Sequence, residues 1–169
     1  MKAYPHIIIT AEMILEAERL IPVTKVDRTV ASRIDTLTGN LGEFAFAEYF
    51  YGNWRNNFVG KNTGEVDFGD FEIKTSAFPF NERLHLLVRE DYAAERTPKY
   101  YVQVIIDVAS RYADFILPGT KAYICGYVTG EEIDRAPLKD FGSKLGTHGG
   151  YKCRYIPITG LRPLTELKP

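Results

Sequence analysis

The spacing of apolar residues predicts helices in the first third of the chain. In the segment 11–20 (AEMILEAERL), apolar side chains recur at helical spacing, and we expect Pro22 to end this helix. The apolar positions are Met13, Ile14, Ala17, Leu20 and Ile21. The segment 25–34 (KVDRTVASRI) is a candidate for a second helix. The chain is therefore expected to begin with helices.

The segment 38–52 (TGNLGEFAFAEYFYG) carries the clearest helical pattern. Asn40 is the expected N-cap, because its side chain can accept from the first unpaired amides, and Gly52 is the expected stop. The predicted buried stripe is Leu41, Phe44, Ala45, Ala47 and Phe50. This helix is predicted to pack against the sheet that follows it.

From Val66 the pattern changes from helical to alternating, which is typical of strands. A hairpin around Gly69 and Asp70 is followed by RLHLLVRE (83–90), YYVQVIID (100–107) and KAYICGYV (121–128). Residues suited to a sheet dominate each of these segments. We expect these four or five strands to form one sheet.

The last part of the chain predicts shorter elements. Thr129 and Glu132 have the spacing of a capping box, which predicts a short helix there. The segment 137–152 is rich in glycine and lacks a periodic apolar pattern, so we expect an exposed loop, and 160–169 suggests a final helical turn.

The length of 169 residues favours one domain. We expect N-terminal helices over 1–38, a core helix and sheet over 39–128, and a short helix, glycine-rich loop and C-terminal strand over 129–169. Helices followed by several strands predict an α/β fold of the mixed α+β kind.

Composition restricts the possible functions. With 45% hydrophobic and 25% charged residues, the chain is typical of a soluble globular protein. The net charge of −1 gives no overall basic excess, so a nucleic-acid partner would need a local basic patch. Cys125 and Cys153 form no CxxC pair, which argues against a zinc site or a disulfide framework and favours a reducing, cytoplasmic location. No segment is long and apolar enough for a membrane span, and no membrane partner is expected.

The segment EVDFGDFEIKTS (65–76) concentrates charge around its predicted turn. If Gly69 and Asp70 form a two-residue turn, Asp67 lies opposite Glu72. Glu65, Asp67, Glu72 and Lys74 then share one face of the hairpin. Two opposed carboxylates repel unless a cation lies between them, and Mg²⁺ prefers such oxygen ligands. The alternative is a solvent-facing hairpin with a weak ion pair between Glu65 and Lys74.

A helix carrying "GE", then an Asp, then "ExK" on the next strand resembles the PD-(D/E)XK nuclease superfamily over residues 39–108. The resemblance implies a restriction-endonuclease-like fold, with a central mixed sheet of four to five strands flanked by helices. It implies Mg²⁺, with Mn²⁺ as a substitute, held by Asp67, Glu72, the carbonyl of Ile73 and Glu43. It also implies that Lys74 assists the attacking water. Val66 stands where the family's name places a proline.

Glu43 has a second explanation. It stands three residues after Asn40, where its carboxylate would close a capping box without any metal. Both roles for Glu43 remain open at this point.

Substrate contacts are expected from polar residues around the hairpin, namely Arg55, Lys61, Thr75 and Ser76. The predicted function is a Mg²⁺-dependent nuclease. The resemblance implies DNA as the substrate, although no residue distinguishes it from RNA, and an endonuclease is favoured over an exonuclease. A homodimer is a further expectation. The alternative is a non-catalytic nucleic-acid-binding or assembly module that retains the nuclease fold.

Overall fold

The computed structural model describes residues 2–24, 33–60, 68–90, 98–140 and 152–168. The helices are α1 (Ala11–Arg19), α2 (Ile21–Thr24), α3 (Arg33–Tyr51) and α4 (Gly130–Asp134). The strands are β1 (His6–Ile8), β2 (Phe71–Phe78), β3 (His85–Arg89), β4 (Tyr100–Asp107), β5 (Lys121–Thr129), β6 (Leu138–Asp140) and β7 (Lys152–Pro157). Two short 3₁₀ turns follow, Ile158–Gly160 and Leu164–Glu166.

The strands form two sheets. The central sheet has the order β1-β5-β4-β2 and is mixed, because β2 runs parallel to β4 while the other neighbours are antiparallel. The second sheet has the order β3-β7-β6 and is antiparallel. A mixed α+β fold with a four-stranded mixed sheet is thus confirmed. The expectation of one sheet was wrong, because alternation identifies β3 as a strand without identifying its partner β7.

Each face of the central sheet contributes to its own hydrophobic cluster. On one face, α1 and α3 pack against side chains such as Ile73 and Val102. On the other face, Tyr101 and Ile105 pack with Leu86 of β3 and with α4. Among the described residues, α1 and α3 cover one face of the central sheet, and the small sheet with α4 covers the other.

Helix α3 runs without a break from Arg33 to Tyr51, so the prediction that Asn40 caps its start was wrong. Asn40 lies inside the helix, is buried, and donates from Nδ2 to the carbonyl oxygen of Ala17 at 3.1 Å. This contact with α1 overrides the local preference of asparagine for helix ends. Gly52 does follow the helix at φ +79°, as predicted. Residues 25–32 of the predicted second helix lie outside the described residues.

Pro22 does not end α1. That helix ends at Arg19 with Leu20 as its cap, and Pro22 lies in the first turn of α2, where a missing amide hydrogen leaves no helical bond unmade. The capping box between Thr129 and Glu132 is confirmed at the start of α4. Parts of the predicted loop 137–152 belong to β6 and β7, and residues 141–151 of it lie outside the described range.

Candidate active site

The turn at Gly69 and Asp70 begins β2 as the sequence predicts. Phe68 and Phe71 exchange two backbone hydrogen bonds of 2.9 and 3.2 Å across it. Gly69 has φ +63° and Asp70 a negative φ, the pattern of a turn that requires glycine first. The predicted hairpin residues Glu65 and Asp67 lie outside the described residues, as does the predicted substrate contact Lys61, so the pairing of Asp67 with Glu72 stays a prediction.

Strand β2 presents different chemistry on its two faces. Ile73 pairs with Val102 and faces the helices, whereas Glu72 pairs with Tyr101 and faces the second sheet. Because side chains alternate along a strand, Lys74 lies on the same face as Glu72. The structure therefore brings these two charged side chains to one face of a strand at the edge of the described central sheet.

Glu72 is 4% exposed and is the one buried charged side chain in the described part of the chain. Removing a carboxylate from water costs several kcal/mol unless a cation or hydrogen-bond donors compensate for it. Lys74, two residues later on the same face, is half-buried. The face thus holds a carboxylate in surroundings where the attraction to a cation is strong.

Gln103 is a residue of this site that the sequence pattern did not identify. It lies opposite Lys74 on β4 and is 1% exposed. Its Nε2 donates to the carbonyl oxygen of Val104 at 2.9 Å and lies 3.4 Å from the hydroxyl oxygen of Ser76. The available signal was one amide side chain within the apolar segment YYVQVIID, since a polar residue in a strand buried on both faces requires partners.

A β-bulge in β5 lies beside Gln103. Gln103 pairs with Gly126 and Val104 pairs with Ile124, which leaves Cys125 as the extra residue. Bulges bend a strand locally and redirect the neighbouring side chains. Burial raises the pKa of the Cys125 thiol to about 12. The sulfur therefore stays protonated at neutral pH and is a poor nucleophile.

The carbonyl of Ile73 points away from β4. The backbone groups of Phe71 bond to Phe68 on the other side of β2, whereas Asp70 accepts from the amide of Tyr100 on β4 at 2.9 Å. Alternation along the strand then directs the Ile73 carbonyl to the side of β2 opposite β4. The carboxylate of Glu72 and this carbonyl are both hard oxygen donors, so the donor chemistry present fits Mg²⁺.

Glu43 lies in the middle of α3 and is half-buried. Because α3 begins at Arg33, the capping-box explanation of Glu43 was wrong. Phe46, on the next turn of α3, contacts the rings of Phe68 and Phe71 at centroid distances of 4.9 and 5.2 Å. Glu43 therefore lies on a helix that packs on the opposite face of β2 from Glu72. Within the described ranges, no three His, Cys, Asp or Glu side chains are close enough to hold a metal.

The predicted substrate contacts are not gathered at one place. Arg55 pairs with Glu12 at 3.3 Å and lies 4.2 Å from the centre of the Trp54 ring, beside the β1 edge of the sheet. That edge is opposite to β2. Thr75 faces α3, and its hydroxyl oxygen is enclosed without a hydrogen-bond partner among the described residues. Ser76 is on the face of Lys74.

None of the described helices has the length and apolar character needed to cross a membrane. No protein-family model matches the chain, and no match was found among curated proteins or solved structures. A functional proposal therefore rests on the chemistry of β2 and its neighbours.

Proposed function

We propose that this protein is a metal-dependent nuclease that hydrolyses phosphodiester bonds with Mg²⁺. The observation that supports the proposal best is the buried carboxylate of Glu72 on the same strand face as Lys74, directly after a tight turn. A carboxylate and an amine held together on a rigid strand suit a site that must bind a cation and a phosphate.

The carboxylates of Glu72 and Asp67 and the carbonyl oxygen of Ile73 would hold the metal, and Glu43, carried by the helix on the opposite face of β2, is proposed to recruit a second ion. All four are oxygen donors, the kind of ligand that Mg²⁺ prefers. When bound, Mg²⁺ would polarise the phosphate and acidify a water molecule.

Lys74 is the proposed catalytic residue. Its ammonium group donates hydrogen bonds that orient the attacking water toward phosphorus and balance the negative charge that develops on the phosphate. The buried amide of Gln103 lies opposite Lys74 on the neighbouring strand.

DNA is the proposed substrate, and internal cleavage is the proposed mode. Both follow the resemblance to the PD-(D/E)XK superfamily. A homodimer is proposed for cleavage of both strands of a duplex, because each copy carries one such site.

A cleavage assay tests the proposal directly. Labelled plasmid, single-stranded and branched DNA are incubated with Mg²⁺, Mn²⁺ or EDTA, and Lys74→Ala is compared with the wild type. We expect metal-dependent products that decrease about 10²-fold or more in the variant, the usual contribution of a general acid–base or charge-stabilising group. Lys121→Ala is the matched control, since Lys121 is exposed where β5 pairs with β1.

A second pair of variants separates charge from packing. Glu72→Gln keeps the size of the side chain and removes its negative charge, and Glu131→Gln makes the same change at an exposed position of α4. We expect only Glu72→Gln to abolish cleavage.

Two results would contradict the proposal. Cleavage that persists in EDTA or in both site variants would place the chemistry elsewhere. Binding of nucleic acid without any cleavage, unchanged by EDTA and by Lys74→Ala, would instead support a non-catalytic binding module. If a labelled RNA incubated in parallel is cleaved and no DNA is, the proposed substrate would be wrong and the proposed site would stand.

A further inference from the structure

Helix α3 and strand β2 come into very close contact at Gly42. A Cβ atom placed on Gly42 would overlap the hydroxyl oxygen of Thr75 and would lie 2.6 Å from its Cβ and Cγ2 atoms. Ordinary contacts of this kind measure 3.4–4 Å. Because the Cβ of Thr75 is fixed to the backbone, any side chain at position 42 would force helix and strand apart by about 1 Å.

The close approach is local to this turn of the helix. A Cβ atom placed on Gly39, one turn earlier, would meet nothing within 4 Å. Glycine is unfavourable inside a helix, and the enclosed hydroxyl of Thr75 has no hydrogen-bond partner among the described residues. The helix and strand therefore form this contact although the helical glycine and the enclosed hydroxyl are both locally unfavourable.

The neighbours of this contact are the candidate site residues. Glu43 follows Gly42 on the helix, and Lys74 precedes Thr75 on the strand. A displacement at Gly42 and Thr75 therefore moves the backbone segments that carry both charged residues. A separation of about 1 Å is large for a reacting arrangement, since such a misplacement costs about 10²-fold in rate.

We propose that Gly42 is a positioning residue, and the proposal rests on the nuclease function proposed above. Its missing side chain sets the spacing between α3, which carries Glu43, and β2, which carries Glu72 and Lys74. Gly42 itself would contact neither metal nor substrate. It acts through the distance between α3 and β2.

A double-mutant cycle tests the proposal with Gly42→Ala, Thr75→Gly and the double variant. Mn²⁺ affinity is measured by calorimetry and DNA cleavage by rate. We expect Gly42→Ala to weaken Mn²⁺ binding about tenfold and to slow cleavage about 10²-fold. Combined with Thr75→Gly, the same substitution should have little effect, because the obstructing atoms of Thr75 are gone.

Two further variants serve as controls. Thr75→Ala should not rescue Gly42→Ala, because the Cβ that would lie 2.6 Å away remains. Gly39→Ala adds a methyl group in open space on the same helix and should leave Mn²⁺ binding and cleavage unchanged. If Gly42→Ala does not fold, Thr75→Val exerts a milder outward pressure on the helix, and we then expect a several-fold loss in both readouts.

Circular dichroism and thermal unfolding of every variant separate positioning from a simple loss of folded protein. A Gly42→Ala variant that melts earlier but retains the wild-type Mn²⁺ affinity and rate would overturn the inference and leave the nuclease function standing. Equal losses from Gly42→Ala with and without the Thr75→Gly substitution would also overturn it. A wild type that neither binds Mn²⁺ nor cleaves DNA would overturn both proposals.

Discussion

Glu132 shows how a partly exposed carboxylate is used when no metal is involved. It accepts hydrogen bonds from the Thr129 hydroxyl and from Arg162. Arg162 lies over the Tyr127 ring at 4.9 Å, and the Tyr127 hydroxyl donates to Glu166 at 3.1 Å. These contacts join the capped start of α4 to the final segment of the chain.

The pH dependence of stability should report this network. Burial raises the pKa of Glu132, but hydrogen bonds from Arg162 and Thr129 outweigh it and hold the pKa below the ordinary 4.5. Because the folded pKa is the lower one, the stabilisation is present above about pH 4.5 and is lost as the pH falls through the folded value. Denaturant unfolding from about pH 6 to about pH 3 should therefore show a smaller acid loss in Glu132→Gln than in the wild type. Parallel curves for the two proteins would contradict this.

Local rules predict part of the candidate site from sequence. The Gly69 turn and the shared face of Glu72 and Lys74 each depend on neighbours within a few residues, as does the Thr129 capping box outside the site. The burial of Gln103 depends on its location between β2 and β5, which no local pattern specifies. The sequence signals only a polar residue within an apolar strand, and the partners of Gln103 are known from the structure alone.

At the scale of elements, Asn40 illustrates how one polar side chain joins two helices. Its buried amide donates to the carbonyl oxygen of Ala17. This hydrogen bond links α3 to α1 at two buried residues. The local sequence around Asn40 favours a helix start, and the tertiary contact explains why the helix continues through it.

Replacing Asn40 by alanine should lower the free energy of unfolding by about 1–3 kcal/mol. The substitution leaves buried polar groups without their partner, and this exceeds the gain in helix propensity. Urea unfolding measures the difference, with Asn56→Ala, at an exposed position after α3, as the control. A loss no larger than that of the control would show that the contact does not hold the two helices together.

Strand partners are the main feature of the fold that sequence patterns did not supply. The segments of β3, β4 and β5 were all recognised as strands, yet β3 joins a different sheet. Strand-forming composition describes how a segment packs its two faces, and it leaves the identity of the neighbouring strand open. Hydrogen bonds between distant segments decide that identity.

At the scale of the whole molecule, the two hydrophobic clusters lie on opposite faces of the central sheet. Ile9 belongs to the cluster under the helices, and Ile133 of α4 belongs to the cluster under the second sheet. Both side chains are fully buried. The sheet separates the two clusters. Side chains of one cluster are therefore not expected to shift when a cavity is made in the other.

Truncation of one methylene in each cluster should therefore be additive. Ile9→Val and Ile133→Val should each cost about 0.5–1.5 kcal/mol, and the double variant should equal their sum within about 0.5 kcal/mol. The comparison pair is Ile133→Val with Ile158→Val, two residues of the same cluster. A coupling between Ile9 and Ile133 as large as in the comparison pair would indicate one continuous core.

The strand order has a consequence for how the chain assembles during synthesis. Phe71 of β2 pairs with Tyr100 of β4, and His6 of β1 pairs with Tyr123 of β5. Pairings between such distant segments require long loops to close and are slow to form. The ribosome must therefore release the chain well beyond Thr129 before the central sheet is complete. Glu72 and Lys74 are made early, but the surroundings that hold them are completed only when most of the chain has emerged.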